Sequence, residues 1–464
     1  MTPQLALDHL WSVAGCDAAL LEHVSMKGDD PALPSVFRVG TLASASIAAM
    51  ALAAANCFRL RTGLMQHVDV SVRRALIAFR SERYLRVNDG LPQELRHPVT
   101  GFYATRDGRW IQLHTNFPHH LQGVLKVLGC DGERDAVVAA IRNWDGAQLD
   151  QTLAEAGLCA ALIRSPREWA ALDQAKAIAN LPLLEIERIG DAPPEAPGRG
   201  AATRPLTGTR VLDLSRIIAG PVAGRALAQH GADVLLINGP HLPNIAPLVI
   251  DNGRGKRSAT LDLRDAAARE QLQALAGEAD VFLEAYRPGS LAARGFDPGT
   301  LARARPGIVC VSISAYGRAG PWATRRGFDS LVQSASGIAF EESRAAAVDG
   351  PKHLPCQALD HATGYLAAFG AMVALARRAH EGGSWHVRLS LAQTGRWLQS
   401  MGQIKDGWRT PDVTFDEVQD GLQEVDSPFG RVHAAAPAER MSQTPAFYAR
   451  PPVPIGTDTA RWEA

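Results

Sequence analysis

The sequence predicts a doubly wound, parallel α/β sheet accompanied by a small α+β domain, and three observations predict it. From Val211 onward, short apolar runs alternate with helical patterns and Gly/Pro breaks, the pattern of a parallel sheet. Before that, HPVTGFYATRDGRWIQLHTNF (97–117) reads as two strands joined by Arg-Asp-Gly, a hairpin, with helical segments after it. Between the two lies GDAPPEAPGRGAATRP (190–205), with three prolines inside five residues, which continues neither a helix nor a central strand and reads as an exposed linker.

In the second half the strands are VLDL (211–214), DVLLI (233–237), SATLDL (258–263), DVFLEA (280–285) and GIVCVSI (307–313). Helical patterns fall at 222–229 and 266–279. Sheets of this kind bind ligands beyond the carboxyl ends of their strands. In the first half, helical segments at 119–128, 134–142 and 147–156 follow the hairpin, so 97–188 forms the small α+β unit.

At 464 residues the chain exceeds one ordinary core. Lys+Arg and Asp+Glu number 48 each, so no basic footprint for nucleic acid is present. The six cysteines (16, 57, 130, 159, 310, 356) never reach CxxC spacing, which signals neither a zinc site nor a disulfide framework and suits a reducing cytoplasm. MTPQLALDHLW lacks the basic leader and apolar core of a signal peptide. Val39 to Phe58 carries no charge over 20 residues, but its Ala, Ser and Gly insert poorly into lipid. It reads as a buried helix, as does 361–376, so no membrane is expected.

The chain also repeats itself. Thr41–Val72 aligns without gaps on Asp360–Leu391. GLMQHVDVS (63–71) and GGSWHVRLS (382–390) keep a Gly, a His-Val pair and a Ser in register. Both copies read as a long buried helix, a glycine break and a strand. One copy opens on Thr41, the other on Asp360.

PLTGTRVLDLSRIIAGPVAGRALAQHGADVLLI, GRGKRSATLDLRD, EAYRPGSLAARGF, SISAYGRAGP, RRGFDSLVQSASG and the LDHATG segment follow one another in the order of the family III CoA-transferases, which this sequence resembles. That group includes formyl-CoA and carnitine CoA-transferases and the 2-methylacyl-CoA racemases. The likeness is strong over 205–400, and TGFYATRDGRWIQL is similar to the start of the family's small domain. It implies a Rossmann-like CoA-binding domain. The order differs from the family's, in which the sheet comes first and the small domain sits in the middle. The expected arrangement is therefore a rearranged fusion: 1–96 a degenerate catalytic-helix repeat, 97–188 the small domain, 189–205 the linker, and 206–464 the CoA-binding domain with its C-terminal return.

An Asp ahead of an apolar run is ordinarily a helix N-cap, and local sequence favours that role for Asp360. The resemblance instead places Asp360 at the family's catalytic aspartate, and the two roles are compatible at a helix N-terminus. Transfer of CoA between carboxylic acids needs a carboxylate nucleophile, because a hydroxyl would stop at a stable ester. Thr41 is accordingly expected to be inactive. For coenzyme A, which enters as a substrate, the resemblance implies contacts from Arg216, Ile217 and Ala219 in the first strand–helix turn. It adds Lys256 and Arg257 in the basic loop, Tyr286 in EAYRPG and Arg294 in LAARGF. Read without it, the turn is an ordinary βα connection, and Arg254, Lys256 and Arg257 form a solvated surface loop.

Two departures bear on function. The racemase branch uses a Gly-His-Asp sequence to move a proton, whereas this chain has Gly327-Phe328-Asp329, which disfavours racemisation; His361 is the substitute base available. The glycine-rich shielding loop of formyl-CoA-type transferases is replaced by RYLRVNDGLPQELRHPVTG (83–101). HTNFPHHL (114–121) holds three histidines without a metal-site spacing, so no metal is expected and a polar loop is the plainer reading. The expected enzyme is a cytoplasmic, homodimeric CoA-transferase acting on acyl-CoA and carboxylic acids. A racemase, a CoA-ester lyase or hydratase, and a non-catalytic CoA-ester-binding relative are the alternatives.

Overall fold

Seven short runs rich in Val, Ile and Leu build one sheet, and we number its strands β1 (Glu185–Gly190), β2 (Arg210–Leu214), β3 (Asp233–Asn238), β4 (Arg257–Thr260), β5 (Val281–Glu284), β6 (Val309–Ser314) and β7 (Ser384–Ser390) in a computed structural model that describes residues 1–90 and 94–463. Their spatial order is β4-β3-β2-β5-β6-β7-β1. All neighbours are parallel except β1, which runs antiparallel to β7. The chain winds outward from β2 through β3 to β4, then restarts at β5 beside β2 and winds the other way. The switch point therefore lies between β2 and β5, where a crevice opens past the strand ends.

The two long small-residue runs are interior helices, α1 (Val39–Thr62) and α4 (Ala358–Glu381). Both are long and apolar enough to cross a bilayer, yet 94% and 100% of their apolar windows are buried inside the chain. They pack on each other and share one hydrophobic core with α2 (Ala219–Gln229) and the sheet. Small side chains permit the close approach: a Cβ at Gly364 of α4 would stand 2.5 Å from the Ala219 carbonyl oxygen and 2.7 Å from Val222 Cβ. Helix α3 (Asp329–Ala335) and helix α5 (Leu391–Ser400) flank α4.

The repeat seen in the sequence is a repeat of architecture. Each copy is a 24-residue helix, a glycine with positive φ, a strand and a second helix: α1, Val68–Ser71 and Val72–Ala78 in one, α4, β7 and α5 in the other.

The hairpin forms as Gly101–Ala104 and Trp110–Leu113, with Ala160–Leu162 as a third strand. Its apolar face and the helices Pro118–Leu128, Arg134–Ile141 and Gly146–Glu155 enclose a separate core around Val99, Ile111, Val124 and Leu149. The strand at 185–190 does not belong to this unit: β1 is the edge strand of the large sheet, so the sheet takes residues on both sides of position 188. The C-terminal return also differs in its partners from a self-contained domain. Glu439–Met441 pairs with Val68–Val70, and Gly430–Ala435 pairs with the two-residue strand Arg86–Val87. The chain thus closes on its own first segment.

Candidate active site

Asp360 stands in the first turn of α4, whose N-cap residue, Gln357, makes no side-chain cap bond. The capping group comes from elsewhere. The Asp360 backbone N–H donates to Asp329 Oδ2 at 2.8 Å. Asp329 is itself held by the Gln333 side-chain amide, while Gln333 Oε1 accepts the Leu354 N–H at 2.8 Å. Next to Asp360, His361 Nε2 meets Glu82 Oε2 at 3.0 Å. Three carboxyl groups thus crowd one buried helix end. Burial raises Asp360 well above the ordinary carboxylate range, and the charges of Asp329 and Glu82 raise it further. Burial also raises Asp329, to about 6.

Asp360 lies where two cavities meet. One is a cleft past the ends of β2, β3 and β5, walled by the turn Leu214–Gly220, Tyr286, Arg287, Arg294, Arg326 and Phe328. Phe117, His119, His120 and Cys159 from the small unit close its far side. Asp360 is the sole carboxylate among the described residues lining it, against Arg216, Arg264, Arg287, Arg294, Arg325 and Arg326. Arg264 and Arg325 are neutralised by Asp262 and Asp150. The other four have no ion-pair partner among the described residues, which makes the cleft a site for a polyanion. The second chamber is lined by Glu82, Arg83, Glu94, Arg96, His114, Asn116, Leu248 and Asp329, and shares Phe117, Ile217, Ile218, Phe328 and Asp360 with the cleft.

The turn after β2 carries a backbone feature that no local pattern announces. Ile217 has φ +76°, a conformation costly for a β-branched residue, and its carbonyl accepts from Asn252 Nδ2 at 3.2 Å. It sits at the junction of both cavities.

The structure brings Arg216, Ile217, Ala219, Tyr286 and Arg294 to the same cleft as Asp360. It does not bring Lys256 or Arg257 there. Lys256 is buried under α2, its ammonium bonded to Asp213 Oδ2 and the Pro221 carbonyl, both at 2.8 Å. Arg257 pairs with Asp233 at 2.9 Å, and Arg254 with Asp251 at 2.7 Å. A run of charges reads as a surface loop, but each cation here turns inward to an aspartate: Lys256 and Arg257 to one on another strand, Arg254 to one in the helix it follows. Arg264 and His241, absent from the sequence reading, line the cleft instead.

Phe328, which stands where the racemase branch has its histidine, stacks on His114 with ring centroids 3.9 Å apart. Burial pushes the His114 imidazole down to about 4, so it is a weak base. His119 and His120 open the helix Pro118–Leu128 rather than a loop, and His120 Nε2 lies 2.9 Å from Arg326. No metal-ligating group of three is found among the described residues. Of the stretch 83–101, Leu91, Pro92 and Gln93 lie outside the described residues.

A doubly wound sheet with a cationic cleft at its switch point, centred on one buried aspartate at a helix N-terminus, defines a protein that handles a large anionic ligand at a carboxylate. The chain belongs to CoA-transferase family III, whose match spans residues 13–193 and 206–438. An acyl-CoA transferase of Gibberella moniliformis is 29% identical over 81% of this chain and 73% of its own length. A probable fatty acyl-CoA transferase of Mycobacterium tuberculosis is 33% identical over 42% of this chain, and the match covers 53% of that protein. Among solved structures, a hypothetical protein from Mycobacterium tuberculosis shares 33% identity, with a TM-score of 0.39 over 43% of this chain and 58% of that one.

Proposed function

We propose that the protein moves CoA between carboxylic acids, with Asp360 as the nucleophile. The observation that carries this reading is the position of Asp360 at the junction of a cationic cleft and a second chamber. The cleft would hold the CoA moiety, its phosphates met by guanidiniums such as Arg216, Arg287, Arg294 and Arg326. The chamber would hold the acids.

The Asp360 carboxylate attacks the thioester carbonyl, and the C–S bond breaks to give an aspartyl–acyl anhydride and CoA thiolate. The thiolate attacks the aspartyl carbonyl, which releases the donor acid and leaves an aspartyl-CoA thioester. The acceptor carboxylate attacks that thioester and expels the thiolate again. The thiolate then takes the new acyl group and frees Asp360. Each step conserves an acyl bond of high transfer potential, so water has to be kept out, and the small-unit wall from Phe117 to Cys159 serves that purpose.

Racemisation is disfavoured because Phe328 carries no proton and the nearby His114 is held neutral and weakly basic. The six thiols are all free, and we place the activity in a reducing cytoplasm. A homodimer remains the proposed assembly, although all walls of the site described here come from one chain.

The test is chemical trapping. Incubation with an acyl-CoA followed by hydroxylamine should leave a hydroxamate on Asp360, located by mass spectrometry. Asp360→Ala should lower CoA transfer by at least about a thousandfold. Transfer that persists in Asp360→Ala would overturn the mechanism, and CoA binding without any adduct would mark a binding protein.

A further inference from the structure

A third cavity lies past the ends of β5, β6 and β7, on the face of the sheet away from α4. Its place follows from strand alternation. Val281, Leu283, Val309, Val311, Trp385 and Val387 point into the core shared with α4, so their neighbours Glu284, Ser312 and His386 point the other way. The cavity has a volume of about 190 Å³. A cavity of roughly 150 Å³ holds a benzene ring, so a ligand of a few more atoms fits. Leu181, Pro182, Phe296 and Leu389 give it an apolar wall.

Its charges do not balance. Glu185 accepts Arg318 Nε at 2.9 and 3.0 Å and Arg388 Nη1 at 3.2 Å, and Glu187 takes the other Arg388 nitrogen at 2.6 Å. Those four groups neutralise one another. Glu284 is left with no cationic partner among the described residues. Its Oε2 accepts the Tyr286 N–H at 3.2 Å, and its carboxyl also bonds Ser312, whose Oγ meets His386 Nε2 at 3.0 Å. Burial raises Glu284 to about 7 and pushes His386 down to about 4, so the imidazole supplies no charge. Gln393, on α5, lines the same cavity and adds an open acceptor. Its amide nitrogen donates to the Leu181 and Pro182 carbonyls, while its buried Oε1 has no partner among the described residues. An unmatched carboxyl, an unmatched amide oxygen and an apolar wall suit a small organic cation with N–H donors.

We propose that this cavity binds a small primary amine, with Glu284 as its counter-ion and Gln393 Oε1 as an acceptor, and that its occupancy tightens CoA binding. The path between the two sites is short. Pro288, Leu291, Ile313 and Ser314 line both this cavity and the cleft, and Glu284 holds the backbone N–H of Tyr286, which walls the cleft. An ammonium draws Glu284 into its charged form, which strengthens the bond to Tyr286 and fixes the loop that follows it. The coupling rests on the reading that the cleft holds CoA; the amine site does not.

Calorimetry with butylammonium and with butan-1-ol, its neutral counterpart, tests the site. Butylammonium should bind at least about tenfold more tightly than butan-1-ol, the scale of a hydrogen bond to a charged group, and Glu284→Gln should erase that difference. The glutamine keeps an oxygen for the Tyr286 N–H, so the variant should fold, which a thermal melt checks. Ala292 is exposed and lines this cavity but not the cleft, and Ala292→Trp should obstruct both probes. Saturating butylammonium should tighten CoA binding to the native protein at least about threefold, and CoA should tighten butylammonium binding by the same factor. In both variants the added amine should leave CoA affinity unchanged. Equal affinity for the two probes, or butylammonium binding that survives Glu284→Gln, overturns the site. Butylammonium binding with no effect on CoA affinity overturns the coupling. Failure of CoA to bind the native protein overturns the reading of the cleft and the coupling with it, while the butylammonium measurements still decide the amine site.

Discussion

At the scale of single residues the decisive pair is Asp360 and Asp329. They are joined by a backbone hydrogen bond of 2.8 Å, and each disfavours the other's charge. Such a pair titrates as a unit, so the acid limb of its pH profile belongs to both groups. The nucleophile must be ionised, and Asp329 raises the pH at which that happens. Asp329→Asn keeps an oxygen to accept the Asp360 N–H but removes the charge. The acid limb of adduct formation should therefore move to lower pH, as read from rates between pH 4 and 8. Stability follows the same sign. Both carboxyls have folded values above their unfolded ones, so the folded state binds more protons, and stability falls as pH rises from the ordinary carboxylate range through about 6. Asp329→Asn should flatten that fall, and Asp329→Ala should in addition cost about 0.5–2 kcal/mol through the lost cap, measured by urea unfolding.

At the scale of elements, the crossing of α4 and α2 positions the site. Gly364 lets the two helices touch at Ala219, which is the start of α2 and part of the cleft wall. A methyl at Gly364 would meet backbone rather than the mobile end of a side chain, so the helices must part. Gly364→Ala should cost about 1–3 kcal/mol by overpacking, partly offset by the better helix propensity of alanine. Because the displaced segment is the Ile217–Gly220 turn, CoA affinity should weaken as well. Calorimetry with CoA and a thermal melt check the two effects, and a melt unchanged from the native protein would show that the helices have room.

At the scale of the whole molecule, the two copies are alike in how they hold the helix end and unlike in what they expose. Asp30 accepts the backbone N–H groups of Gly40 at 2.9 Å and Thr41 at 2.7 Å, as Asp329 accepts that of Asp360. Thr41 is fully buried, whereas Asp360 opens onto two cavities. The first copy keeps the cap, but Thr41 lines neither of the two cavities that meet at Asp360. Thr41→Asp in an Asp360→Ala background should restore no adduct, and the added buried carboxylate beside Asp30 should destabilise on the order of 3 kcal/mol. Adduct mapping and urea unfolding test both halves of that statement.

By itself the sequence determined the alternation of strands and helices, the hairpin, the paired long helices and the acid, Asp360, on which the second long helix opens where the first has Thr41. These are legible because periodicity, turn chemistry and in-register repetition are carried by residues close together in the chain. Only the tertiary structure decided what surrounds that acid. Asp329 lies 31 residues from Asp360, and Glu82 lies 279 residues from His361, so no local spacing links them. The same reason explains the basic loop: the partners of Lys256 and Arg257 sit on other strands, at Asp213 and Asp233, so a run of cations that reads as surface is turned inward. It explains β1 too, whose partner β7 is about two hundred residues away in the chain and supplies the hydrogen bonds that EIERIG cannot supply alone. A carboxylate's identity is written in the sequence, but its charge, its neighbours and the two cavities it separates are set by residues that meet only when the chain is folded.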